Sequence, residues 1–145
     1  MKKLIGPLLG LILSVVLAGT ALAEGSFTSS MYDVRKNFSS RVWVDKNLDN
    51  VGTVIKFWNC RDGAVNGSTD WVDITLWRHN FALPATHMGT KRLNCYVYDA
   101  KNWGDVAAAD YQFSVYQFGP NPLGLRTCQC EGGNVLDVDP LNVGY

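Results

Sequence analysis

Trp71-Val72-Asp73-Ile74-Thr75-Leu76-Trp77 changes side-chain type at every step. Neighbours in an extended chain point to opposite faces, so Val72, Ile74 and Leu76 share one face and Trp71, Asp73, Thr75 and Trp77 the other. The first face is core. The second sets two large aromatics beside two hydrogen-bonding groups, which suits either packing against a second layer or a surface built to touch a ligand.

The same two-residue period recurs on both sides of this stretch. In Ser39 to Asp45, Val42 and Val44 stand opposite Arg41, Trp43 and Asp45, which predicts a half-buried strand with its valines inward. Thr53 to Cys60 is apolar on both faces and predicts a central strand. Lys91 to Asp99 places Leu93, Cys95 and Val97 inward and Asn94, Tyr96 and Tyr98 outward. Tyr111 to Phe118 puts Tyr111, Phe113 and Val115 on one face. A first edge strand lies near Met31 to Val34. A last hairpin joins residues 125–130 to residues 134–139 and is closed by Pro140.

Asn, Asp and Gly clusters at Asp45 to Gly52 and Arg61 to Thr69 read as turns. Arg78 to Gly89 holds both histidines and Pro84 without a period, and reads as a long surface loop. Val106 to Ala109 offers one helical turn at most. About seven to eight short strands and no amphipathic helix predict an all-β fold, a small antiparallel β-sandwich of immunoglobulin-like or Greek-key type.

The N-terminus has the order of a secretory signal peptide: basic Lys2-Lys3, an apolar body from Leu4, and the small-residue end Ala21-Leu22-Ala23. Residues 1–23 are therefore expected to be a leader and residues 24–145 a single sandwich domain, with no membrane span after leader removal. Losing Lys2 and Lys3 takes the 13 Lys and Arg down to 11 against 13 Asp and Glu, a net charge of −2. Both signs are scattered, which argues against a nucleic-acid surface. Cys60, Cys95, Cys128 and Cys130 all follow the leader, and an even count in an exported chain predicts two disulfides. Cys60 with Cys95 would staple two core strands. The remaining pair, Cys128 with Cys130, would close a very tight ring, and the competing pairings link each of those two to a central cysteine.

Two short segments carry family resemblances. Ala109-Asp110-Tyr111-Gln112-Phe113 resembles the tyrosine corner of immunoglobulin-like sandwiches, with Phe113 where those domains have a core cysteine. Tyr98-Asp99-Ala100-Lys101-Asn102-Trp103-Gly104 resembles the Greek-key signature of βγ-crystallins, though its glycine comes one position early. Tyr32 to Phe38 echoes it with a spacing one residue too long. The second resemblance implies βγ-crystallin-like Greek keys as the alternative fold, and neither implies a function.

The candidate ligand-binding residues are Trp43, Trp71, Asp73, Trp77, Tyr96 and Tyr98, all placed on the outward parity with Thr75 and Asn94 among them. Flat rings beside polar groups suit a ligand with apolar faces and a hydroxylated rim, such as a sugar chain. Asp45, Asn47 and Asp49 match the first oxygen positions of a calcium loop. Asn50 and Lys56 replace its glycine and its bidentate glutamate, so an Asx-rich turn is the better reading and no metal is expected. His79 and His87 with Asp73, Asp99 or Asp105 form no recognised catalytic spacing, and Asp137 and Asp139 merely share a strand face.

The expectation is thus a secreted, non-enzymatic extracellular binding protein without cofactor, whose partner is an extracellular polysaccharide or cell-surface ligand. One alternative is a secreted enzyme inhibitor or toxin-like effector acting on a protein partner through Arg78 to Gly89 or Gly119 to Cys130. The other is a small secreted hydrolase.

Overall fold

The structure is a computed structural model that describes residues 25–62, 67–119 and 135–145. Among the described residues ten strands, all paired antiparallel, build two sheets that pack as a β-sandwich. The first sheet has the order β5 (Gly67–Ser68), β4 (Arg61–Asp62), β10 (Leu136–Gly144), β3 (Val54–Phe57), β8 (Asp99–Asn102), with β1 (Ser26–Val34) also on β10. The second has the order β2 (Trp43–Asp45), β9 (Ala109–Gly119), β6 (Trp71–Asn80), β7 (Leu83–Asn94). No helix occurs among the described residues.

The core forms where the two-residue periods face one another. Val72, Ile74, Leu76, Leu93, Tyr111, Phe113 and Val115 meet Ile55, Phe57, Leu136, Val138 and Val143 across the sandwich. Phe57 and Phe113 touch edge to face at 6.2 Å. Each large apolar side chain buried this way contributes about 1.5–3 kcal/mol. The Tyr111 hydroxyl donates to the Ala107 carbonyl four residues upstream, the bond that defines a tyrosine corner.

Several expectations are corrected. Arg78 to Gly89 is not a loop. β6 runs on to Asn80 and β7 begins at Leu83, so the two form one long hairpin turned at Phe81 and Ala82, with Ala82 at a φ of 59°. Trp77, Arg78 and Asn80 pair with His87, Thr86 and Leu83. Most of this end reaches beyond the core, with only Met88 packed against it, so no hydrophobic period is written there. Pro84 is accommodated because β7 is an edge strand.

In β2 the parity is inverted: Trp43 and Asp45 are buried and Val42 and Val44 exposed. Both faces of that segment offer an apolar residue. The larger area of Trp43 decides between them, together with the Thr53 hydroxyl, which donates to buried Asp45. Val97 is exposed because β7 ends at Asn94 and the chain crosses between sheets, where alternation no longer applies. β10 continues through Pro140, which sits opposite a register shift in β1 that requires no ladder bond from it. The helical turn expected at Val106 to Ala109 is irregular chain up to Ala108, and Ala109 begins β9.

Cys60, after β3, and Cys95, after β7, form the expected disulfide with Cα atoms 4.9 Å apart. It ties the first sheet to the second at one end of the sandwich. A formed, buried disulfide fits an oxidising compartment. Cys128, Cys130 and residues 125–130 of the expected last hairpin lie outside the described residues.

Candidate binding cleft at the disulfide end

The site grows from the outer face of β6. Trp71, Asp73, Thr75 and Trp77 point away from the core as their parity requires; Asp73 and Thr75 are buried, and Trp71 and Trp77 are half-buried. Cross-strand partners on β7 and β9 build a ladder of polar contacts along this face. Arg92, directly opposite Asp73, donates to both of its carboxylate oxygens at 2.7 and 2.8 Å, and the Gln117 amide donates to the same carboxylate at 2.7 Å. The Thr75 and Thr90 hydroxyls share a 2.7 Å hydrogen bond. The Trp77 indole donates to Ser114 and meets the His87 ring edge-on at 5.2 Å. His79 contacts Gln112.

Trp71 is held in a particular pose. It pairs across the ladder with Gly119, where an added Cβ would lie 2.8 Å from the indole, so the ring can lie down only because that residue is glycine. The Arg92 guanidinium stacks on the ring at 3.8 Å. Indole, guanidinium and the Asp73 carboxylate therefore form one ordered stack. Hydrogen bonding to Asp73 raises the Arg92 pKa against the opposing effect of desolvation, and the charge of Asp73 raises it further.

Beside this stack opens a cleft of about 360 Å³ lined by Asp70, Trp71, Arg92, Asn94, Tyr96, Asp99 and Lys101. The chain reversal after β7 supplies most of it. The Asn94 side chain accepts from the Tyr96 amide, which turns Tyr96 outward at 62% exposure. Asp99 accepts from the amides of Asn94 and Ala100 and from the Lys101 ammonium. The Asp70 backbone is clamped by an amide bond to the Gly119 carbonyl and by a carbonyl bond from the Cys95 amide. Its side chain is 4% exposed, and Asp70 Oδ2 has no hydrogen-bond partner among the described residues.

Of the six candidate residues, the fold brings Trp71 and Tyr96 to the cleft wall and Asp73 directly behind it. Tyr98 lies on the same chain reversal, paired with Trp58 at 5.3 Å. Trp77 stands six residues along β6, about 20 Å away at strand rise. Trp43 does not reach this surface. It is a core residue, packed against Phe27, Tyr111 and Tyr145.

Asp70, Arg92 and Lys101 were not visible as a site, since only the reversal after β7 brings them together. Trp58 was hidden too, because β3 ends at Phe57 and releases the next residue to solvent. Asp45 and Asp49 accept amides two residues ahead of them, from Asn47 and Val51, as an Asx-rich turn does. No group of three or more His, Cys, Asp or Glu placed to hold a metal ion occurs among the described residues.

Burial pushes Asp99 up, but its hydrogen bonds from Asn94, Lys101 and Ala100 and the Lys101 charge outweigh this, and its pKa is lowered from the ordinary 3.8. A depressed carboxylate pKa contributes stability above the unfolded value and loses it as pH falls through the folded one. Asp99→Asn should therefore be less stable than the parent at neutral pH, and the gap should close as the solution is acidified below 3.8. Denaturant unfolding at both pH values measures this. A gap that widens in acid would mean Asp99 is not held as a carboxylate.

No protein-family model, curated protein or solved structure matches this chain, so its function has to be argued from the cleft and the face beside it.

Proposed function

We propose that the protein is a secreted, non-enzymatic binding module for an extracellular glycan. The observation that carries this is the cleft itself, in which two aromatic side chains, Trp71 and Tyr96, stand around a few converging polar groups. Ring C–H faces of a sugar stack on aromatics while its hydroxyls need donors and acceptors at the rim. Thr90 and Trp77 continue the same chemistry along this sheet face, which suits a chain longer than one sugar.

Asp99 is not poised as the general acid of a hydrolase. A general acid needs a raised pKa, and Asp99 is depressed and committed to its own neighbours. The reading as a protein-directed inhibitor or effector has one observation in favour: Phe81 is fully exposed at the tip of the β6–β7 hairpin, with Leu83 beside it.

The test is a pull-down of the full chain, expressed through a bacterial export route, on insoluble polysaccharides and cell-wall preparations. Parent and Phe81→Ser should bind alike, and a folded Trp71→Ala, Tyr96→Ala variant should bind at least about tenfold more weakly, as loss of stacking area predicts. Binding lost in Phe81→Ser and kept in the cleft variant would transfer the function to the hairpin tip.

A further inference from the structure

The charges around the cleft do not balance. Asp73 is neutralised by Arg92 and Asp99 by Lys101, each through a short ion pair. Asp70 is left over: three carboxylates face two cations, and the third has no ion-pair partner among the described residues. It is also the most enclosed, nearly fully buried, with Oδ2 lacking any donor. Leaving a buried carboxylate oxygen without a donor is unfavourable, so an occupant that supplies one is favoured by the relief of that deficit. A hydroxyl would satisfy the hydrogen bond alone. An ammonium would satisfy the hydrogen bond and the surplus negative charge together.

From this we infer that the cleft selects sugars carrying a free amine, with the ammonium on Asp70 and the pyranose ring against Trp71 and Tyr96. The inference rests on the glycan reading above and names the substrate class of that same cleft. Arg92 and Lys101 are held away from the amine by their own carboxylates, which leaves Asp70 as the specificity-determining acceptor. The Asp70 backbone bonds to Gly119 and Cys95 do not involve its side chain, so the acceptor can be altered without removing the clamp.

The experiment titrates the full chain with three β-1,4-linked tetramers that differ only at the second carbon: glucosamine, N-acetylglucosamine and glucose. The parent should bind the glucosamine tetramer about tenfold more tightly than the other two, the effect of one charge-assisted hydrogen bond. Asp70→Asn should bind all three alike. In the parent, raising the pH until the amines of the glucosamine tetramer are deprotonated should abolish the preference and leave the neutral tetramers unchanged. This second measurement stands even if the variant does not fold.

Equal affinity for the three tetramers, or a preference that survives Asp70→Asn or deprotonation of the amines, would overturn the inference and leave glycan binding intact. Butylamine competing as well as the glucosamine tetramer would show a site for a protein-borne ammonium instead. Binding of none of the tetramers would remove both this inference and the reading on which it rests.

Discussion

Replacing Trp43 with alanine should destabilise the domain by about 3–5 kcal/mol, the usual loss for truncating a large buried aromatic. The ring is 4% exposed and sits among Phe27 at 5.8 Å, Tyr145 at 6.1 Å and Tyr111 at 6.4 Å. It therefore joins both ends of the chain's described part to β9. Trp77→Ala makes the contrast. That ring is half-exposed on the outer face and holds one hydrogen bond to Ser114 and one contact to His87. Its loss should remove about 1 kcal/mol. Denaturant unfolding of the two variants reads the difference, and similar losses for both would mean that the two faces of the second sheet have been wrongly assigned.

The second large effect belongs to the disulfide. Cys60 and Cys95 are 35 residues apart in sequence. Closing a loop of that size restricts the unfolded chain enough to stabilise the native state by about 3–4 kcal/mol. A Cys60→Ala, Cys95→Ala variant should lose that amount and melt about 10 °C or more below the parent. It should also bind glycan more weakly than its stability loss alone explains. The Cys95 amide donates to the Asp70 carbonyl at 2.9 Å, and Tyr96 follows immediately, so the bridge pins the floor and one wall of the cleft. Titration under conditions where the variant remains folded separates the two effects. Full affinity in a destabilised variant would show that the cleft is organised without the bridge.

The parts of the fold legible in the sequence are those where one physical signal acts alone. Strict alternation in Trp71 to Trp77 fixed which side chains of β6 face the core, because a strand has only two faces and one of them was uniformly apolar. The same holds for Leu93 and Cys95 and for Tyr111, Phe113 and Val115. The pairing of Cys60 with Cys95 followed from two cysteines in two core strands. Where signals competed, the reading failed: Val42 and Val44 lost the interior to Trp43, whose burial removes more apolar area.

The hairpin beyond Trp77 left no period to read, since of its apolar side chains only Met88, near its base, packs against the core. The cleft was legible only in its aromatics. Trp71 and Tyr96 were visible as outward rings, but the stack of Arg92 on Trp71 and the enclosure of Asp70 exist only through cross-strand register and the chain reversal after β7.

The most direct test of the cleft as the binding site uses the chain's five tryptophans. In an amide correlation spectrum of the full chain each indole N–H gives its own signal, and a glucosamine tetramer can be titrated against them. The signal of Trp71 should move with saturation, together with the backbone amides of Asn94 and Tyr96. The signals of Trp43, buried in the core, and of Trp103, bonded to the Gly89 carbonyl, should stay in place. A Trp71 signal that stays fixed while Phe81 and Leu83 at the hairpin tip shift would contradict the account.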